Sequence, residues 1–240
     1  MMEAGSGEVL TPHRLQYQGE IARLERDTLE GIELVVGALD RALEALAHQD
    51  IELAELVVAD DDRIDGRYLQ IHQGVLSLFA RQAPVAGDLR LLAALLHVIR
   101  NMERMGDQCV NISKLIPVSG TAPPTDPQIL NMMEEMGLAV REIVRQAMKA
   151  FKTRDADMAV DLAERDQKVN DLNKAIFRRA LEVGNDLELR EWAMTMTLAA
   201  RCLERVGDNA VDIGEQIAFV VTGVFREFAD ASQAGDSRDR

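Results

Sequence analysis

The sequence predicts an all-α protein made of two tandem three-helix bundles, with six long helices in total. Its six prolines leave residues 13–83, 85–116 and 128–240 without one. Such stretches permit long helices, because proline in a helix interior costs about 3 kcal/mol. Apolar residues recur at steps of three and four, which is the period of an amphipathic helix. The two halves also resemble each other in sequence, which indicates that one three-helix unit occurs twice.

The first unit begins near the amino terminus and ends at a proline-rich segment. Its three helices are expected over residues 15–48, 50–81 and 85–116. Asp50 is a candidate N-cap for the second helix, because a carboxylate there can accept a hydrogen bond from a free backbone N–H. The third helix is expected to begin around Pro84 and to end before Pro117.

A turn-rich segment, "PVSGTAPPTDP" at 117–127, separates the first unit from the second. The three helices of the second unit are expected over residues 128–153, 155–183 and 187–228. Asp155 is the candidate N-cap of the middle helix. The two domains are therefore predicted at 15–116 and 125–228, and the small and charged residues of 229–240 predict a disordered tail.

The internal repeat is most evident in the third helix of each half. "ERMGDQCVNI" at 103–112 aligns with "ERVGDNAVDI" at 204–213, with six identities in ten positions and an offset of 101 residues. In the preceding helices the offset is 105, which aligns Asp61 with Asp166. The difference of four residues is about one helical turn, and we expect it in the connection between the second and third helices.

Charge and composition limit the classes of partner. The chain contains 27 Lys and Arg against 41 Asp and Glu, a formal net charge of −14. Attraction to nucleic acid or to anionic lipid is therefore not expected, and cations are the natural counterparts. The two cysteines suit a reducing compartment, and neither a signal pattern nor a spanning apolar stretch is evident in the sequence. We therefore expect a cytoplasmic protein without direct membrane insertion.

Acidic residues spaced four apart occupy one face of a helix and recur in both halves. The candidate metal-binding residues are Asp61, Asp65, Glu103 and Asp107 in the first half and Asp166, Asn170, Glu204 and Asp208 in the second. Carboxylates are hard oxygen ligands that suit magnesium, calcium, manganese and iron. Antiparallel packing of the second and third helices would bring the two pairs of each half together. Asn170 replaces a carboxylate, so the second site is expected to be weaker or differently occupied.

A helix-interior glycine accompanies each acidic set at the matched position, Gly106 in the first half and Gly207 in the second. Glycine there destabilises a helix by up to about 1 kcal/mol relative to alanine, which indicates close approach of another backbone or of a ligand. Arg100 and Arg201 also match, and are expected to form ion pairs with adjacent acids. The histidines lack the Glu-x-x-His spacing of di-iron bundles. Acidic pairs alone are common on solvated helices, so a purely structural bundle is the alternative.

The sequence resembles the PhoU family of phosphate-transport accessory regulators. The resemblance lies in "PVAGDLRLLAALLHVIRNMERMGDQCVNI" at 84–112, in "RCLERVGDNAVDI", and in the "DDRID" and "DQKVN" segments of the preceding helices. It implies a fold of two three-helix bundles with E/D-x-x-x-D motifs, which hold iron or zinc in some members. The matching positions are the eight candidate metal-binding residues.

The resemblance further implies a negative regulator of the phosphate-starvation response. Such a protein couples a phosphate-importing ABC transporter, through its ATPase, to a sensor histidine kinase, and is not an enzyme. We expect a homodimeric adaptor with carboxylate-bound divalent or ferric ions, which could be iron, zinc, manganese or magnesium. Two alternatives stay open: a carboxylate-metal phosphate hydrolase, and an accessory regulator of a different phosphate transporter.

Overall fold

The computed structural model describes residues 12–228 and contains no β-strand in that range. Its helices are α1 (Pro12–His48), α2 (Ile51–Ala59), α3 (Asp62–Arg81), α4 (Ala86–Leu115), α5 (Pro127–Thr153), α6 (Ala156–Glu182) and α7 (Leu187–Thr222). A short 3-10 helix, Pro117–Ser119, lies in the linker. The predicted all-α class is confirmed. The tail predicted for 229–240 lies outside the described residues.

The helix predicted over 50–81 is interrupted at Asp60 and Asp61, so that α2 and α3 occupy its place. Arg63 and Ile64 donate backbone hydrogen bonds to carbonyls three residues back, at 3.1 and 2.9 Å, instead of four. The Asp60 carboxylate lies 3.0 Å from the guanidinium of Arg41 on α1. A tighter turn and a contact with a neighbouring helix thus coincide at the interruption.

Two other expectations are corrected. The last helix, expected to reach residue 228, ends at Thr222, because Gly223 adopts a left-handed conformation (φ 76°) and donates a hydrogen bond to Phe219. The connections α3–α4 and α6–α7 each contain four residues. The difference of four residues lies in the lengths of the helices instead. Arg81, the last residue of α3, is 20 residues beyond Asp61, whereas Glu182, the last residue of α6, is 16 residues beyond the aligned Asp166.

Aspartate side chains cap the N-termini of four helices. The predicted caps are confirmed: Asp50 accepts a bond from Leu53 N at 2.9 Å, and Asp155 accepts one from Met158 N at 2.9 Å. Asp126 and Asp186 cap α5 and α7, each with two backbone N–H donors. Each carboxylate satisfies donors that the first helical turn leaves without a partner.

The helices of both halves contribute to one continuous core of buried residues. The most extensive helix contact joins α4 to α7, and α1 packs against both α4 and α5. At the α1–α5 contact, Leu43 lies against Gly137, and Asp40 pairs with Arg141 at 3.3 Å. The two halves are thus merged along their lengths. Domain boundaries at 15–116 and 125–228 stay a prediction, because a shared core does not show where independent folding units end.

Between residues 12 and 228, no helix is long and apolar enough to cross a membrane.

Candidate functional site

The acidic residues of the first half lie where α3 packs against α4. Asp61 immediately precedes α3 and Asp65 lies in its first turn, while Glu103 and Asp107 lie one turn apart on α4. Asp65 and Asp107 are exposed, whereas Asp61 and Glu103 are partly buried. We call these four residues the first cluster.

Burial and electrostatic repulsion both act on the first cluster, and burial has the larger effect. Burial, followed by the charges of Asp65 and Asp107, raises the pKa of Asp61. Burial and the same two neighbours also raise the pKa of Glu103. Within residues 12–228, the side chains of Asp61, Asp65 and Asp107 form no hydrogen bond or ion pair. Arg100 lies 3.9 Å from Glu103, at the limit of an ion pair. The cluster therefore has excess negative charge held close together.

The second cluster, Asp166, Asn170, Glu204 and Asp208, lies at the contact between α6 and α7. Asn170 donates a hydrogen bond of 2.9 Å to Oδ2 of Asp166. Glu204 accepts one of 2.8 Å from Asn173 and also pairs with the guanidinium of Arg201. Two of the three carboxylates in the second cluster therefore already have side-chain partners within the protein.

Asp166 is the most deeply placed carboxylate of the two clusters, with 6% of its surface exposed. Burial and the charge of Asp208 raise its pKa to about 6, although the bond from Asn170 opposes this. Its Oδ1 atom is buried and has no hydrogen-bond partner within the described part of the chain. Loss of surrounding water raises the pKa of the Asp208 carboxyl as well.

The two glycines are explained by side chains on the facing helix. A Cβ atom at Gly106 would lie 3.0 Å from Cδ1 of Ile64 and 3.7 Å from Oδ1 of Asp61. A Cβ atom at Gly207 would overlap Oδ1 of Asp166. The expected close approach is present, but it involves acidic and apolar side chains rather than another backbone.

The oxygen donors of the first cluster fit a hard cation better than those of the second. Among residues 12–228, no three His, Cys, Asp or Glu side chains already converge so that they could hold a metal. Exposed Asp65 and Asp107 have room to rotate, and a cation would relieve the repulsion in their cluster. The second cluster fits poorly, because binding there would compete with bonds from Asn170, Asn173 and Arg201.

The role of Asn173 was not predicted from the sequence. The available signal was its spacing: Asn173 follows Asn170 by three residues and therefore shares its helix face. The ion pairs expected for Arg100 and Arg201 are confirmed, with Glu103 and Glu204 respectively.

Comparison with known proteins gives the family. The family model described as "PhoU domain" matches residues 29–116 and 133–217, more than half of the chain. The chain belongs to the PhoU family. The two matched segments fall on either side of the linker, and each contains one acidic cluster.

Similar proteins carry the same family name. The chain is 31% identical over 216 residues to a Caulobacter vibrioides "phosphate-specific transport system accessory protein PhoU homolog", covering 89% of this chain and 94% of that protein. A Zymomonas mobilis homolog with the same description is 33% identical over 187 residues, with 78% of each chain covered. The crystal structure of PhoU from Pseudomonas aeruginosa superposes with a TM-score of 0.81 at 27% identity, covering 87% of this chain and 100% of that one.

Proposed function

We propose that this PhoU-family protein is an accessory regulator of a phosphate transport system. The observation that carries the proposal is the pair of PhoU-domain matches, together with relatives described as phosphate-specific transport accessory proteins that align over most of their length. In this role it is a cytoplasmic, non-enzymatic adaptor that contacts the transporter ATPase and a sensor histidine kinase, and it represses the phosphate-starvation response.

A metal held by Asp61, Asp65, Glu103 and Asp107 would link α3 to α4. When bound, such an ion supplies positive charge that cancels the repulsion among these side chains. An ion can favour only the conformation that binds it more tightly. Metal binding would therefore regulate docking if α3 and α4 are arranged differently in the free and docked protein.

The proposal is tested by capture of both partners. Purified full-length protein is immobilised and mixed with the ATPase subunit of a phosphate ABC transporter or with the cytoplasmic part of the sensor kinase, with and without a chelator. We expect both to be retained, and chelator to change the amount retained. Retention of neither partner in either condition would contradict the adaptor role.

The regulatory role has its own test in cells. Deletion of the gene is expected to cause constitutive expression of a phosphate-starvation reporter at high phosphate, and the wild-type gene should restore repression. The pair E103Q/D107N, which removes two negative charges from the first cluster, is compared at matched protein levels. Full repression by this variant would separate regulation from metal binding. Unchanged reporter expression in the deletion strain would contradict the regulatory role.

A further inference from the structure

The geometry points to a different role for each of the two acidic clusters: only the first is open to a cation, whereas the second is a metal-free clasp. In the clasp a hydrogen bond from Asn173 to Glu204 joins α6 to α7, while a hydrogen bond within α6 and an ion pair within α7 occupy the acidic side chains. This inference rests on the proposed metal binding at the first cluster. The inference goes beyond that proposal because it excludes four of the eight candidate metal-binding residues from metal binding.

Glu204 is the centre of the clasp. It lies on α7 with 9% of its surface exposed, and its carboxylate is engaged from two directions. Asn173 reaches it from α6 with a bond of 2.8 Å, and Arg201 pairs with it from the preceding turn of α7. Both contacts are made to Oε2, and the guanidinium already neutralises charge that a cation would otherwise neutralise, so a cation at Glu204 would gain less than one at Glu103.

Asp166, on α6, adds a packing contact with α7 beside this bond. Asn170 engages its Oδ2 atom, while its Oδ1 atom takes the place that a Cβ atom would occupy on Gly207. The backbone of α7 therefore lies directly against the only free oxygen of Asp166. With 6% exposure and its Oδ1 atom packed against Gly207, Asp166 has little room to reorient around an ion shared with Asp208.

The equivalent positions of the first half lack these partners. Asp65 stands where the second half has Asn170, so no amide is available to Asp61. Tyr68 stands where the second half has Asn173, and its ring packs beside His72 with 5.7 Å between ring centroids. Arg100 lies 3.9 Å from Glu103, a looser contact than that between Arg201 and Glu204. The substitutions that close the second cluster are thus absent from the first.

The repeat supplies a matched pair of variants that tests this difference. E103Q/D107N and E204Q/D208N make the same chemical changes at aligned positions of the two halves. Binding of Mn²⁺ to the purified full-length protein is measured by electron paramagnetic resonance of the free ion, after metals have been removed with a chelator. Partner proteins are absent, so failure of the adaptor role would be seen in the capture assay and not here.

We expect E103Q/D107N to weaken Mn²⁺ binding at least tenfold. E204Q/D208N should change both the amount of Mn²⁺ bound and its affinity by less than twofold. Equal losses in the two variants would overturn the inference, as would a loss confined to E204Q/D208N. Absence of Mn²⁺ binding to the wild-type protein would also overturn it. Helical circular dichroism of each variant confirms that it is folded.

A third variant tests why the second cluster does not bind a cation. N170D/N173A/R201A restores the missing carboxylate and removes the two donors to Glu204. We expect it to bind additional Mn²⁺, and the extra ion to be lost when E204Q/D208N is added. Unchanged Mn²⁺ stoichiometry in the folded variant would contradict the role given to these side chains. If this variant does not fold, the matched pair decides the question alone.

Discussion

At the scale of the residue, Gly207 shows how one missing side chain allows two helices to meet. Its Cα faces Oδ1 of Asp166, and any larger residue would overlap that oxygen. Gly37 provides a comparison, since it lies on the exposed face of α1 with no neighbouring atom within 4 Å of a Cβ. The same substitution should therefore have opposite effects at the two positions.

We predict that G37A stabilises the protein by about 0.5–1 kcal/mol, because alanine is the better helix former. G207A should instead destabilise it by roughly 1 kcal/mol or more, because Asp166 must move and lose its bond from Asn170. Urea denaturation of the two variants measures both free energies of unfolding. Stabilisation by G207A equal to that by G37A would show that Asp166 does not approach α7 as described.

Asp166 gives a second prediction at this scale, in metal-free protein. Its pKa is raised in the folded state to about 6 from an ordinary value of 3.8. The stability that its neutral form provides is therefore complete below about pH 4 and is lost as the pH rises through 6. D166N should increase the free energy of unfolding at pH 7 by about 2 kcal/mol and change it little at pH 4.

The measurement is urea denaturation at the two pH values in the presence of a chelator. D171N is the control, since Asp171 lies on the exposed side of the same helix. It should show no comparable difference between the two pH values. A D166N variant less stable than wild type at pH 7 would contradict this prediction, because it would show that the fold stabilises the ionised carboxylate instead of raising its pKa.

At the scale of the element, Asp126 links the start of α5 to α6. Its carboxylate caps α5 by accepting bonds from the N–H groups of Gln128 and Ile129, at 3.1 and 3.0 Å, and it also pairs with Arg179 on α6 at 2.7 Å. The Arg179 guanidinium, helped by the two N–H groups, lowers the pKa of Asp126. One side chain therefore begins a helix and holds it to its neighbour.

We predict that D126A destabilises the protein by about 2 kcal/mol. D50A should destabilise it by only about 1 kcal/mol, because Asp50 makes a single exposed cap bond. The contribution of Asp126 is present above its ordinary pKa and is lost as the pH falls through the lowered value. The difference between D126A and wild type should accordingly shrink in strong acid. Thermal denaturation followed by circular dichroism measures both effects, and equal losses in D126A and D50A would argue against the link to α6.

Most helix ends were predictable because their signals are local. Proline, aspartate caps and apolar spacing placed the boundaries of α4, α5 and α6 within a few residues. Gly223 was an available signal for the end of α7, since glycine commonly follows the last helical residue. The interruption at Asp60 was not predictable in the same way, because its partner Arg41 is contributed by another helix.

The candidate site could be predicted only in part. Four-residue spacing identified the positions, and the aligned glycines indicated close packing of the helices. The difference between the clusters depends on which donors reach which oxygens. That is decided by side-chain orientation across α6 and α7, as the bond from Asn173 to Glu204 illustrates. Sequence spacing places residues on a face but does not show which pairs bond across it.

At the scale of the whole molecule, the shared core predicts that the two halves unfold together. α4 and α7 have the most extensive contact, and α1 also packs on α5. The single tryptophan, Trp192, is buried in the second half, so its fluorescence reports on that half. Circular dichroism reports on the helices of both. Urea transitions followed by the two signals should therefore coincide.

A substitution in the first half tests more strictly whether the two halves unfold together. Ile71 is fully buried on α3, a helix that packs mainly on α1 and α4. I71A should destabilise the protein by about 3 kcal/mol through loss of burial and creation of a cavity. If the core is cooperative, the midpoint reported by Trp192 must fall as far as the midpoint reported by circular dichroism, although Trp192 lies in the other half. An unchanged fluorescence midpoint, with a circular dichroism transition split in two, would instead show that each repeat folds independently and that the contact between α4 and α7 is weak.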